Sequence, residues 1–114
     1  MKYRLILNTE LTVTRFHPRY QEAQRFLDSE VLRDSAPYVP FRTGYLMNSG
    51  NTGTVIGSGK VIYNAPYAKR VYYANHANFS KAKHPQATAQ WFEKAKAVKG
   101  NEWVKGVQKI VRGG

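Results

Sequence analysis

The stretch PYVPFRTGYLMNSG, residues 37–50, joins two parts of the chain whose apolar residues repeat with different periods. Pro40 fixes a bend, and Gly44 can adopt the positive φ that residues with a Cβ resist. The Thr43 hydroxyl can cap backbone N–H groups and begin a short helix, which Leu46 would anchor in the core. We therefore predict that Pro40, Thr43, Gly44 and Leu46 form a structural loop, without the partners that a catalytic site requires.

The segment before this loop has the pattern of an amphipathic helix. Pro18 suits a first helical position, and Pro37 should end the helix because the residue before a proline is disfavoured in it. Apolar side chains with helical spacing predict one packed face, formed by Tyr20, Ala23, Phe26, Leu27 and Val31. The opposite face is expected to be solvated and comprises Gln21, Glu22, Gln24, Arg25, Asp28 and Arg33.

Two β-prone segments lie on either side of this helix and loop. Residues 3–14 alternate in polarity and contain Thr and β-branched side chains, which predicts an extended segment or two short strands. Residues 54–56 and 60–63 are short β-prone runs separated by Gly-Ser-Gly at 57–59. Because glycine takes positive φ at little cost, these runs predict a β-hairpin.

The remainder of the chain is predicted to be mainly helical. Pro66 can open a short helix or turn, and the polar residues 74–85 have the composition of an exposed loop. Pro85 can open a C-terminal helix, in which Gly100-Asn101 signals a stop or kink. One apolar stripe precedes that signal and another follows it: Trp91, Ala95 and Val98, then Trp103, Val107, Ile110 and Val111.

These elements predict the α+β fold class, with a small antiparallel β-sheet flanked by an N-terminal amphipathic helix and C-terminal helices. A chain of 114 residues supports one modest core, so we expect one domain over residues 1–114. The apolar run at the N-terminus is interrupted at residues 8–10 and is too short to span a bilayer, so no membrane contact is expected. Because cysteine is absent, disulfides and thiolate sites are excluded.

Positive charge is concentrated in the second half of the chain. Residues 1–59 carry seven Lys/Arg against five Asp/Glu, whereas residues 60–114 carry eleven against two, so +9 of the net charge of +11 lies there. A basic half can attract nucleic acid, an anionic membrane or an acidic protein. A small basic nucleic-acid-binding protein, or an RNase-type toxin using Lys, Arg, Tyr and His without metal, therefore stays open as an alternative function.

Candidate catalytic and metal-binding residues are scattered along the sequence. His17, His76 and His84 lack the spacing that would bring them together with carboxylates on one metal ion. The carboxylates of the first predicted helix alternate with arginines, as on a solvated surface. Thr43 and Ser49 have no base that the sequence can place beside them. We therefore predict no catalytic residue, no metal site and no cofactor.

Aromatic and basic residues are interleaved in the second half of the chain. Nucleic-acid bases can stack on such rings while cations hold phosphates, but Tyr, Trp and Arg are also enriched at protein interfaces. We predict a subunit interface made by an aromatic and basic segment and by one edge of the C-terminal helix. The candidate interface residues are Tyr63, Tyr67, Arg70, Tyr72, Tyr73, Trp91 and Trp103.

The order of three short motifs resembles that of a known family. PFRTGYL at residues 40–46 precedes the predicted strands, PYA at residues 66–68 follows them, and ATAQWFEKAKAVKGNEWVKGVQKIV begins at Ala87. This arrangement is similar to that of the small minor capsid, or head–tail connector, proteins of long-tailed bacteriophages and prophages of Gram-positive bacteria. The chain departs from many relatives in having VYY at residues 71–73 after the Tyr-Ala element.

The resemblance implies a non-enzymatic structural protein of the virion. It implies a tail-completion role in the neck, as a joining protein, a stopper or a tail terminator, where copies of the chain form a ring that joins the DNA-filled head to the tail. The implied partners are further copies of the chain and the other neck, portal-adaptor and tail proteins, with assembly in the host cytoplasm. We expect a monomer in isolation and a non-specific contact between the basic half and packaged DNA.

Overall fold

The computed structural model of the chain describes residues 4–11, 17–40, 44–74 and 89–113. The predicted α+β class, a small antiparallel sheet flanked by helices, is confirmed. Predictions for Thr43, for residues 12–14 and for the loop containing Pro85 lie outside the described residues. In chain order the elements are β1 (Leu5–Asn8), α1 (Tyr20–Ser35), a 3-10 helix (Ala36–Tyr38), α2 (Tyr45–Gly53), β2 (Lys60–Tyr63), α3 (Ala68–Tyr72) and α4 (Trp91–Val111).

The sheet pairs the beginning of the chain with its middle. β1 and β2 are antiparallel, with Leu5 opposite Tyr63. Leu5 and Leu7 are buried, whereas Ile6 on the other face is 49% exposed. Because successive strand residues point to opposite faces, this burial confirms the alternation predicted for the segment.

The predicted hairpin between residues 54–56 and 60–63 is wrong. The segment before residues 54–56 is helical up to Gly53, and α2 packs on β2 so closely that a Cβ on Gly50 would sit 2.5 Å from the Tyr63 ring. β2 pairs with β1 instead, and Thr54 meets Ile62 through its hydroxyl rather than through its backbone.

Side-chain hydroxyls, rather than a third strand, satisfy the outer edge of β2. The Thr54 hydroxyl accepts the Ile62 N–H at 2.9 Å and donates to the Ile62 carbonyl at 3.3 Å. The Ser58 hydroxyl accepts the Lys60 N–H at 3.3 Å and donates to its carbonyl at 3.2 Å. Outward-facing backbone groups of an edge strand need such partners when they are partly buried.

α4 packs mainly against α1, and two contacts fix the pair. A Cβ on Gly106 would overlap the Phe26 ring, so the glycine allows the two helices to approach closely there. Farther along, Trp103 Nε1 donates a hydrogen bond of 2.7 Å to Asp34 Oδ2. Gly106 would destabilise α4 as an isolated helix, but in the fold it permits the close packing of α4 on α1.

The helix stop predicted at Gly100-Asn101 is wrong, because α4 runs without interruption from Trp91 to Val111. A glycine inside a helix costs about 1 kcal/mol, and burial of Ala95 on one side and Trp103 on the other outweighs that cost. Val98, predicted on the buried stripe, is 52% exposed. It lies about 140° around the helix from Trp103, at about 100° per residue, and so is not on the side that Trp103 buries.

The buried apolar side chains form one cluster to which both strands and all four helices contribute. Trp91, Tyr63, Val31, Val39 and Val61 are among its largest fully buried members. Among the described residues, none of the helices has the length and apolar character needed to cross a bilayer.

Candidate interaction surfaces

The loop before α2 has the conformation predicted for Gly44. Its φ is 84° and its ψ is −2°, a left-handed conformation at the N-cap of the helix. The Gly44 carbonyl accepts the Asn48 N–H at 2.9 Å. Leu46 in the first turn is 5% exposed and belongs to the core, while Pro40 is half-buried. The described part of the loop thus positions α2 against the sheet.

Three predicted interface residues instead form a buried aromatic cluster, Tyr63, Tyr72 and Trp91. The Trp91 indole lies edge-on to both tyrosine rings, with centroid distances of 5.4 Å to Tyr63 and 4.8 Å to Tyr72. Burial raises the pKa of Tyr63 above its usual range and raises that of Tyr72 to about 12. These residues and Trp103 are at most 5% exposed, so they fill the core of the chain, and their place at a subunit interface stays a prediction.

The other interface candidates lie at α3, with Arg70 inside the helix, Tyr67 at its N-cap and Tyr73 at its C-cap. Tyr67, Arg70 and Tyr73 follow one another at a spacing of three, which makes their side chains neighbours on a helix surface. Arg70 is exposed and Tyr73 is 55% exposed. Tyr67 packs against Tyr45 at a ring-centroid distance of 6.0 Å. Burial is the main cause that raises the pKa of Tyr67, and the nearby Tyr45 is a smaller one. We name Tyr45, Tyr67, Arg70 and Tyr73 the tyrosine–arginine stripe.

The structure buries a carboxylate that the sequence placed on a solvated helix face. Asp28 in α1 is fully buried and accepts four hydrogen bonds. Thr9 Oγ1 and Gln24 Nε2 donate to Oδ1 at 2.5 and 3.0 Å, and the N–H groups of Gly57 and Gly59 donate to Oδ2 at 2.8 and 3.1 Å. The predicted solvation of Gln24 and Asp28 is therefore wrong, because donors from distant segments enclose them.

The hydrogen bonds of Asp28 hold the turn before β2, and we name this arrangement the Asp28 clamp. A carboxylate has about four acceptor positions, and four donors of the chain itself occupy them. One signal in the sequence could have indicated its burial. Gln24 and Asp28 are four residues apart, and Asp28 precedes the buried Val31 by three, so both border the apolar stripe.

An apolar cleft of about 430 Å³ opens between α1, α4 and residues 8–11. Its lining includes Leu27 and Val31 of α1 and Phe92, Trp103, Val104 and Val107 of α4. The Phe92 and Trp103 rings are stacked, with centroids 6.1 Å apart and planes 12° apart. Val104 is 55% exposed. The cleft therefore presents aromatic and branched side chains to the surface.

A second apolar feature is the turn before β2, where Val55 is 71% and Ile56 40% exposed. The Ser58 N–H closes the turn on the Val55 carbonyl at 3.0 Å. On one flank the Asp28 clamp binds the Gly57 N–H, and on the other Thr54 binds β2. We name the projecting pair the 55–56 tip. It is an exposed apolar surface on a turn that is fixed at both ends.

The side of α4 that faces away from the core carries a row of cations. Lys94, Lys105, Lys109 and Arg112 are exposed, and their spacings of 11, 4 and 3 residues return each to the same side of a helix. Glu102, the acidic residue in the middle of α4, pairs with Lys99 at 3.3 Å. We name these four residues the cationic face.

Within the described part of the chain, no group of three or more His, Asp or Glu side chains is placed to hold a metal ion. A family model described as minor capsid protein matches residues 12–111. No curated protein and no solved structure matches the chain.

Proposed function

The chain belongs to this family of minor capsid proteins, and from that membership we propose that it acts at the head–tail junction of a phage particle. In this proposal, copies of the chain form a ring in the neck and join the DNA-filled head to the tail. The chain would assemble in the host cytoplasm and then remain in the virion.

One observation carries the proposal, which is the extent of the family match. Residues 12–111 include every described helix and β2. The structural role of a minor capsid protein therefore applies to the segment that forms most of the fold. The loop before α2, strand β2 and the late helix α4 follow one another in the order of the connector resemblance.

The buried carboxylates support a structural role rather than catalysis. Asp28 accepts hydrogen bonds from four groups of the chain itself. Asp34 accepts the Trp103 indole N–H at 2.7 Å and pairs with Arg33 Nε at 3.2 Å. Because these groups join separate segments of the fold, we propose that the protein has no enzymatic activity.

The tyrosine–arginine stripe is the surface that we propose contacts other neck proteins. Tyr and Arg dominate the energetic centres of protein interfaces because they offer large contact area together with hydrogen-bond donors. Arg70 and Tyr73 are exposed in the chain, so they can contribute both features without unfolding it. The portal-adaptor and tail proteins are the partners implied by the proposed position.

Contact with packaged DNA is a second candidate function, favoured by the cationic face. Each lysine that neutralises a phosphate adds about 0.9 to the slope of log affinity against log salt. A variant with Lys94→Gln, Lys105→Gln and Lys109→Gln should therefore lower that slope by roughly 2–3, whereas Lys60→Gln with Lys69→Gln serves as a control outside α4. Tight binding to one nucleic-acid sequence at physiological salt, or cleavage of RNA, would instead favour the nucleic-acid-binding or toxin alternative.

Deletion of the gene, followed by electron microscopy of the lysate, tests the proposed position. We expect DNA-filled heads and complete but separate tails, because head filling and tail polymerisation do not need a joining ring. Complementation with the intact gene should restore joined particles. Joined, infectious particles in the deletion lysate would contradict the proposal.

A further inference from the structure

We propose that the 55–56 tip of one copy of this chain inserts into the apolar cleft of the next copy. The proposal rests on the ring proposed above and names the contact that would close it. The occupant of the cleft is thus a second copy, and the contact is head-to-tail because it joins two different surfaces of the same chain.

The polarity and size of the two surfaces match. The cleft holds about 430 Å³, within the range of about 300–1,000 Å³ typical of pockets that enclose a ligand, and it has room for two branched side chains. Val55 and Ile56 are such side chains, and residues 54–58, TVIGS, contain no charge. The charged residues of the lining, Glu10 and Lys96, are both exposed, so this uncharged tip can enter between the apolar side chains without bringing a charge of its own into the cleft.

The two surfaces lie on opposite sides of α1. Leu27 and Val31 line the cleft, whereas Ile56 lines a different cavity with Ser29 and Leu32. Ser29 is two residues from both Leu27 and Val31, so at about 100° per residue it points about 160° away from each. A contact between opposite sides of a subunit repeats from copy to copy, and it closes into a ring when the rotation per copy permits.

The Asp28 clamp gives the tip the rigidity that such a contact needs. Gly57 and Gly59 next to the tip are bound by the carboxylate, and both have positive φ, 98° and 82°. A turn that is already ordered loses little conformational entropy on binding. The buried Asp28 carboxylate would therefore also serve the contact between copies, because it holds Val55 exposed in one orientation.

Disulfide trapping tests this contact directly because the chain contains no cysteine. The single variants Val55→Cys and Val104→Cys change exposed residues at the tip and at the cleft. Val98→Cys, 52% exposed on the same helix but not in the cleft lining, is the matched control. Mixed under mild oxidation, the first two proteins should give a linked pair in several-fold higher yield than Val55→Cys mixed with Val98→Cys.

The double variant Val55→Cys/Val104→Cys should give a ladder of linked copies under the same conditions. Equal yields from the Val104→Cys and Val98→Cys mixtures would overturn the proposed contact, and so would the absence of linked product in concentrated protein, where copies that are monomeric when dilute meet frequently. This result is independent of the neck position. If copies become linked but the deletion lysate contains joined particles, the tip-to-cleft contact is supported and the neck position is rejected. If copies do not become linked but the deletion lysate contains separate heads and tails, the neck position is supported and the contact is rejected.

Discussion

The buried aromatic cluster and the tyrosine–arginine stripe are built from the same kinds of residue and meet at neighbouring positions. Tyr72 and Tyr73 are adjacent, and their rings contact edge-to-face at 5.1 Å, yet Tyr72 is 3% and Tyr73 55% exposed. The first belongs to the core with Trp91, and the second faces solvent beside Arg70. The difference teaches that aromatic content alone does not identify an interface, since the direction of each side chain decides its role.

Truncation of the buried cluster should have the largest effect on stability. Trp91→Ala removes an indole that is fully buried between two tyrosine rings and should lower the free energy of unfolding by about 3–5 kcal/mol. Tyr73→Ala on the exposed stripe is the control and should change it by no more than about 0.5 kcal/mol. Urea unfolding of both variants measures this, and similar losses would erase the distinction between the two regions.

The same contrast applies to two carboxylates of α1. Asp28→Ala leaves the donors of Thr9, Gly57 and Gly59 unpaired, and since an unsatisfied buried group costs about 1–3 kcal/mol, we expect a loss of about 2–4 kcal/mol. Glu22→Ala, on the same helix, removes only an exposed pair with Arg19 at 3.7 Å and should cost less than about 1 kcal/mol. An Asp28 variant as stable as the Glu22 variant would show that the clamp does not stabilise the fold.

Alkaline pH should test the burial of Tyr72 by a smaller effect. Burial raises the pKa of Tyr72 from 10.0 to about 12, so the unfolded state loses this proton first. The contribution to stability is therefore complete below pH 10 and is lost as the pH rises through 12. Tyr72→Phe should reduce the fall in unfolding free energy between pH 10 and pH 12 relative to the parent chain. Identical pH profiles for the variant and the parent would contradict the burial of this hydroxyl.

Local rules predicted much of the fold from the sequence. The apolar stripe of α1, the alternation at Leu5 and Leu7 and the positive φ of Gly44 each depend on neighbouring residues, and all are present. The partner of β2 depends on residues more than fifty positions away, and local turn chemistry favoured the wrong hairpin. The continuity of α4 likewise depends on its packing against α1, and the stabilisation from this packing outweighs the cost of the glycine at position 100.

The candidate surfaces were less predictable for the same reason. Burial of Asp28 needs donors from Thr9 and from the turn at residues 57–59, and no local pattern shows that these segments meet. The sequence marks Tyr72 and Tyr73 alike as interface candidates, and their periodicity does not separate the core-facing Tyr72 from the exposed Tyr73. The 55–56 tip was concealed because its β-prone residues favoured a strand.

Substitution within the stripe should have the smallest effect on stability. Arg70→Glu with Tyr73→Ala changes two exposed side chains, and each should alter the free energy of unfolding by no more than about 0.5 kcal/mol. Thermal melts compare this double variant with the parent chain. A large loss of unfolding free energy would mean that the stripe residues stabilise the fold as core residues do. A defect in assembly could then result from unfolding.

Electron microscopy of particles that carry this double variant tests most directly whether the exposed stripe joins the protein to its neck partners. Val98→Ala, at an exposed position outside the stripe, is the control and should give joined particles. The stripe variant, folded as well as the parent, should yield filled heads and separate tails. Joined, infectious particles at the parental yield would contradict it.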